Sequence, residues 1–347
     1  MSEQLPSLEV WKKLYELMAK IKELSPWTWM GEDDIFAVED LETKEIDFVS
    51  VMGAIGEHYS ITRYRGEEGL SQFWALHTGD FATDDQTFQK ILEIPQFQAS
   101  FEERKFLQKE DRKIIKELGL TYQGNNAWPM FRSFQPGFAP WFIDSSAARI
   151  LINALEQTID ISLQFRDDPD VLTPDDKGGY LLRPCIKKGN KIKWQDSIWY
   201  ESTAPPSEPI EFLADDIAFK KIESLLQKGT SFEMDILMSL TPIQEKGEKP
   251  YYPYILLFVD INTEMIVAFE LIQPLPNLSA MGQKLPSIIA NNYLKISFIP
   301  RQIYVTSENL YQSLVYLNDY VNLSVKHVKR LKVASKIRKS FTNFNKM

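Results

Sequence analysis

The chain predicts an α+β protein, and three features of its 347 residues carry that expectation. Apolar residues recur at helical spacing near the start, in Leu8, Trp11, Leu14, Tyr15, Met18 and Ile21. Three strand-like runs follow, "DIFAVED", "IDFVSVMG" and "HYSITRYRG", with short polar or Gly-containing connections. From Thr230 onward the pattern reads strand, strand, strand, helix, strand, helix, strand, helix. A period near 3.6 marks amphipathic helices, and short apolar runs bounded by turn residues mark strands.

The first helix is expected over about residues 8–24 and stops at Ser25, because Pro26 disfavours helical geometry in the residue before it. The three runs form an antiparallel meander. "EEGLSQFWAL" and "ASFEERKFLQKEDRKIIKELG" read as helices, the second ended by Gly119. These pieces make a small α+β domain at about residues 1–120, and residues 121–347 make a second, α/β domain. "NNAWPMFRSFQPGFAPWFID" reads as an aromatic loop packed on a core. A helix follows from about Ser145 to Leu163, then the polar loop "FRDDPDVLTPDDKGG", then a hairpin turning at "KKGNK". "TAPPSEP" is a proline-rich connector, and "IEFLADDIAFKKIESLLQKG" reads as a helix.

Composition narrows the function classes. Hydrophobic residues at 44% and charged residues at 25% give a chain that can bury a core. Neither a signal peptide nor a membrane span is expected, so the protein reads as cytoplasmic. The single cysteine, Cys185, leaves no intrachain disulfide and no multi-cysteine zinc site. His58, His77 and His327 lie in separate elements without metal-like spacing. A net charge of −9 argues against a surface coated for nucleic acid. The segment from Ser324 to Met347 nevertheless contains no acid. Its Lys326, Lys329, Arg330, Lys332, Lys336, Arg338 and Lys339 are candidates for a weak, salt-sensitive nucleic-acid contact.

The tract from about residue 230 to 347 resembles the ribonuclease-H-like core of integrases and transposases. "SFEMDILMSL", "YILLFVDI" and "MIVAFELI" stand for its first three strands, "QIYVTS" and "LSVKHV" for the fourth and fifth. The resemblance places the first carboxylate at Asp235 and the second at Glu308, where Ser307, Glu308, Asn309 and Leu310 replace a Ser/Thr-Asp-Asn-Gly pattern. Those two acids are the candidate catalytic and metal-binding residues, with Mg²⁺ or Mn²⁺ as the implied cofactor. In the resembled integrases the last helix brings the third carboxylate, but "KVASKIRKSFTNFNK" holds no Asp or Glu. Two-metal chemistry holds its cations about 4 Å apart and needs several oxygen ligands. The residues therefore favour a binding or accessory protein on a degenerate core, with a metal-dependent nuclease or strand-transfer enzyme as the alternative. Asp260 is expected to open an exposed hairpin turn, "DINTE", and to be structural. The whole chain also resembles uncharacterised bacterial proteins that pair two domains of unknown function.

Overall fold

A computed structural model describes residues 4–79, 84–188, 191–202 and 210–344. The chain divides into two compact units, Met1–Pro136 with Pro140–Ala204, and Gly137–Ala139 with Pro205–Met347. Each unit combines helices with a sheet, and the chain as a whole is α+β, as the sequence predicts.

The first unit begins with α1 (Leu8–Leu24), whose Ser7 hydroxyl accepts a bond from the Val10 amide, and which buries Trp11, Leu14, Tyr15, Leu17, Met18 and Ile21. The meander is β1 (Phe36–Glu39), β2 (Ile46–Met52) and β3 (Tyr59–Tyr64), paired antiparallel. Then come α2 (Gly66–Thr78), α3 (Asp84–Glu93), β4 (Gln96–Glu102), α4 (Lys109–Glu117), β5 (Trp128–Phe134) and α5 (Ser145–Asp167). The short strands β6 (Tyr180–Arg183), β7 (Cys185–Lys188), β8 (Lys191–Trp194) and β9 (Ser197–Trp199) complete the unit. Seven strands form one sheet in the order β5-β4-β3-β2-β1-β6-β9, and β7 with β8 forms a separate ribbon.

This sheet overturns three expectations. The helix expected from Ala99 to Gly119 forms only over α4, and its first residues, Ala99–Glu102, belong to strand β4, because Phe97, Ala99 and Phe101 bury one face at period two. The aromatic loop contains β5, an edge strand that tolerates Pro129 because its outer side needs no ladder donor. Since β5 pairs with β4 and β6 pairs with β1, the first unit continues well past residue 120. The KKGNK turn at residues 189–190 and the connector "TAPPSEP" lie outside the described residues.

Buried charge ties the layers of this unit together. Arg63, fully buried, donates to Asp47 at 2.8 Å and to the Ile150 carbonyl of α5 at 2.8 Å. Arg132 forks onto Asp111 at 2.9 and 2.6 Å, and Asp111 also accepts the Gln108 amide that opens α4. Such forks match the planar guanidinium to a carboxylate and satisfy two donors at once.

The second unit contains α6 (Asp216–Ile222), β10 (Gln227–Met238), β11 (Tyr254–Asp260) and β12 (Ile266–Ile272). It continues through α7 (Leu278–Gln283), α8 (Leu285–Ile296), β13 (Ile299–Val305), α9 (Glu308–Leu317), β14 (Ser324–His327) and α10 (Val333–Phe344). The five strands run β12-β11-β10-β13-β14, the first two pairings antiparallel and the last two parallel. The helix expected before β10 is short, because Gln227 and Lys228 pair with Ile299 and Pro300 and join the sheet instead. Pairing outweighs local helix propensity there. The single helix expected around Ser279–Leu294 is two, with Pro286 in the first turn of α8.

Both faces of this sheet are covered at the centre. On one, Phe258 meets Tyr293 of α8 edge-on at 6.0 Å and the Tyr293 hydroxyl reaches Met234 sulfur at 3.7 Å. On the other, α10 lays Val333 and Ala334 against Leu237, Leu257 and Val259.

One turn occurs twice. Asp260 accepts from the Asn262 and Thr263 amides at 2.8 and 3.0 Å, and Asp40 accepts from Glu42 and Thr43, each at 2.9 Å. Each loop then places a residue at positive φ, Glu264 at 55° and Lys44 at 63°. Asp260 is structural as expected, but it is 8% exposed rather than open to solvent, because the turn folds back over its carboxylate.

Two predictions follow from these turns. Asn can keep the acceptor at position 260, so Asp260→Asn costs less than about 0.5 kcal/mol and Asp260→Ala about 1 kcal/mol in unfolding experiments. For Asp40, burial pushes the carboxyl up, but the Thr43 and Glu42 amides and Arg149 outweigh it and hold the pKa at about 2, below the ordinary 3.8. A depressed pKa contributes stability above 3.8 that is lost as pH falls toward 2. Hydrogen-exchange protection of β1 and β2 therefore falls across that window in the native chain and stays flatter in Asp40→Asn.

Candidate functional site

The site is built where β13 and β14, parallel to β10, come to their ends while β10 runs on to Met238. Asp235 and Glu308 both lie beyond the last β10–β13 pair, Glu233 opposite Tyr304. Asp235 lies within β10, beyond the point where β13 stops pairing with it, and Glu308 opens α9 after β13. Their carboxylates have different partners, however.

Asp235 is buried, and its two oxygens accept from one Arg338 nitrogen, Nη2, at 2.9 and 2.8 Å. Glu308 is exposed; it accepts from Gln312 one turn along α9 at 2.6 Å and stands 3.9 Å from His327 Nδ1. His327 Nε2 lies 2.9 Å from the Thr306 carbonyl, and its ring is 5.7 Å from Tyr311. Among the described residues, no group of three or more His, Cys, Asp or Glu is disposed to hold a metal ion.

Sequence reasoning missed the role of Glu233. Its carboxylate accepts from the amides of Lys332, Val333 and Ala334, each at 2.8 Å, and so caps α10 from a distant strand. The first turn of a helix leaves amides unpaired and carries partial positive charge, which an acid satisfies on both counts. A signal was present: "RLKVAS" offers no Ser, Thr, Asp or Asn just before the helix, and Lys332 cannot accept a bond. The cap had to come from elsewhere.

The predicted basic residues divide by use. Arg338 serves Asp235, and Lys336 pairs with Glu264 of the β11–β12 turn at 2.8 and 3.0 Å. Lys326 lies over the Tyr304 ring at 5.8 Å. Lys329, Arg330 and Lys332 are exposed on the connection between β14 and α10. The side chain of Lys339 lies outside the described residues.

Burial raises the Asp235 carboxyl above its ordinary 3.8, and Arg338 only partly offsets it. The folded state then binds the proton more tightly than the unfolded state. Its contribution to stability is therefore full below 3.8 and declines as pH rises through the raised value. Asp235→Asn removes that decline. Thermal unfolding should show the variant gaining on the native chain from pH 4 to neutrality, and a native chain that gains instead would mean that Arg338 outweighs burial.

Residues 11–183 match a family described as a domain of unknown function, DUF7309. Residues 218–342 match a second one, DUF6930. No curated protein matches the chain. No helix among the described residues is long and apolar enough to cross a membrane. The two matches fall on the two units, and the chain pairs one domain of unknown function, DUF7309, with another, DUF6930.

Proposed function

We propose that this is a binding or accessory protein whose second unit keeps a ribonuclease-H-like strand order but has exchanged a metal for an internal cation. The observation that carries the reading is the grip of Arg338 on both oxygens of Asp235. The resembled integrases bring a carboxylate on their last helix, and here that helix brings a guanidinium. Mg²⁺ binds through oxygen ligands at close to 2.1 Å in octahedral geometry, and the oxygens it would need from Asp235 are engaged. Glu233, the nearest further acid on that face of β10, is committed to three amides of α10. The strand order β12-β11-β10-β13-β14, with its change from antiparallel to parallel at β10, also supports the ribonuclease-H-like reading.

A second reading rests on Lys329, Arg330 and Lys332, which stand exposed together before α10. They offer a contact for phosphate without the stacking aromatics that hold single strands. Because β14 and α10 belong to the core of the second unit, point substitutions test this contact better than truncation.

Titration of the full chain with Mn²⁺ and with Mg²⁺ by calorimetry should give no saturable site that depends on Asp235, and incubation with labelled DNA should give no hydrolysis. Metal binding abolished by Asp235→Asn, together with cleavage, would establish the enzyme instead. For the phosphate contact, oligonucleotide binding should be weak at low salt, fade at physiological salt, and drop when Lys329, Arg330 and Lys332 are all changed to Ala.

A further inference from the structure

Basic residues gather on the ribbon of β7 and β8. From Pro184 to Gln195 the chain carries four lysines, Lys187, Lys188, Lys191 and Lys193, and no acid. The pairing register sets Cys185 opposite Trp194, Ile186 opposite Lys193, Lys187 opposite Ile192 and Lys188 opposite Lys191. Residues directly opposite share a face, and faces alternate along each strand. One face therefore holds Cys185, Lys187, Ile192 and Trp194, and the other holds Ile186, Lys188, Lys191 and Lys193. The first is the inner face: Cys185 is buried and Trp194 packs against the core of the unit. The second is the outer face, where Lys193 is exposed and has no ion pair among the described residues.

Three lysines thus share the outer face, two of them directly across from each other. Like charges directly opposite weaken a pair of strands. Lysine on an edge strand also guards a sheet from joining another, but one in each strand does that without setting two together. The acids at the foot of the ribbon are already engaged. Asp196 pairs with Arg183, and Glu39 pairs at 2.6 Å with Lys44, which also donates to the Cys185 carbonyl at 3.1 Å. An outer face of this composition calls for an anion brought by a partner.

We propose that the outer face of the β7–β8 ribbon is a contact surface for duplex DNA, independent of the strand order and the basic connection of the second unit. Charge complementarity selects a polyanion, and the shape of the element selects among polyanions. Paired strands lie about 4.8 Å apart, and a two-stranded ribbon enters the major groove of B-DNA, which is about 12 Å wide. The core holds the inner face, so the ribbon presents only its lysine face to such a groove. Double-stranded RNA closes its major groove to side chains. Single strands are held by stacking on aromatics, and the aromatic of the ribbon, Trp194, lies on the inner face. A membrane surface needs large apolar residues beside the cations, and the outer face offers Ile186 alone. The net charge of −9 repels DNA at long range, so the contact is short-range and salt-sensitive.

The test is binding of the full chain to a short labelled DNA duplex over a salt series. The triple variant Lys188→Gln, Lys191→Gln, Lys193→Gln should bind roughly tenfold or more weakly at low salt. It should also make the slope of log K against log salt shallower by about two to three, since each phosphate contact contributes about 0.9. Lys187→Gln, on the inner face, should leave that slope unchanged. The same differences should persist when Lys329, Arg330 and Lys332 are all changed to Ala, which separates this surface from the contact in the second unit. Hydrogen exchange on the native chain gives a readout that needs no variant: amides of β7 and β8 should gain protection when the duplex is added. Duplex binding that the triple variant leaves intact would overturn the proposal, as would an equal loss from Lys187→Gln or ribbon amides indifferent to the duplex. So would tighter binding to single-stranded RNA or to phosphatidylserine vesicles than to the duplex.

Discussion

Two acids on the central strand of the second unit hold its last helix in place. Glu233 and Asp235 lie two positions apart on β10, so they face the same way, toward α10. α10 has no side chain of its own to satisfy its first amides, and Glu233 supplies the acceptor three times. Asp235 then fixes the helix further along through Arg338. Everything on that face follows from this docking: the burial of Leu237, Leu257 and Val259, the Lys336–Glu264 pair and the pairing of Asp235 with Arg338. The two contacts act differently. Glu233 satisfies amides that would otherwise be orphaned, whereas the Asp235–Arg338 pair limits the cost of a buried charge and specifies where the helix lies.

Much of the fold is legible in the sequence because local signals and tertiary contacts agree. α1 shows its buried stripe at helical spacing, and the β11–β12 hairpin announces its turn through Asp260 and its flanking apolar runs. The same turn at Asp40 is written in different letters, DLETK against DINTE, and only the pairing of amides reveals the kinship. β4 and β5 are illegible for opposite reasons. The run from Glu102 onward is rich in Glu, Lys and Arg, which favour a helix, and draws Ala99–Phe101 into the reading, yet Phe97, Ala99 and Phe101 have a sheet to join. β5 carries a proline and an aromatic cluster that read as loop until its place at a sheet edge is known.

The candidate site is legible in position but not in chemistry. Strand order puts Asp235 on the central strand and Glu308 at the start of the helix after its parallel neighbour. Asp235 meets its partner on a helix about a hundred residues away, and no local pattern encodes that, whereas Glu308 meets Gln312 one turn along its own helix. Arg338 looks in the sequence like one more charge in a basic tail. In the fold it answers a buried carboxylate, which shows why a charge run read alone misassigns its members.

The capping of α10 by Glu233 also has a kinetic meaning. Donor and acceptor are 99 to 101 residues apart, so the helix receives its cap only when the sheet is already assembled. Contacts of such long sequence separation form slowly, since the intervening chain must first be ordered. The cap thus marks α10 as an element whose native start depends on the assembled sheet rather than on its own sequence.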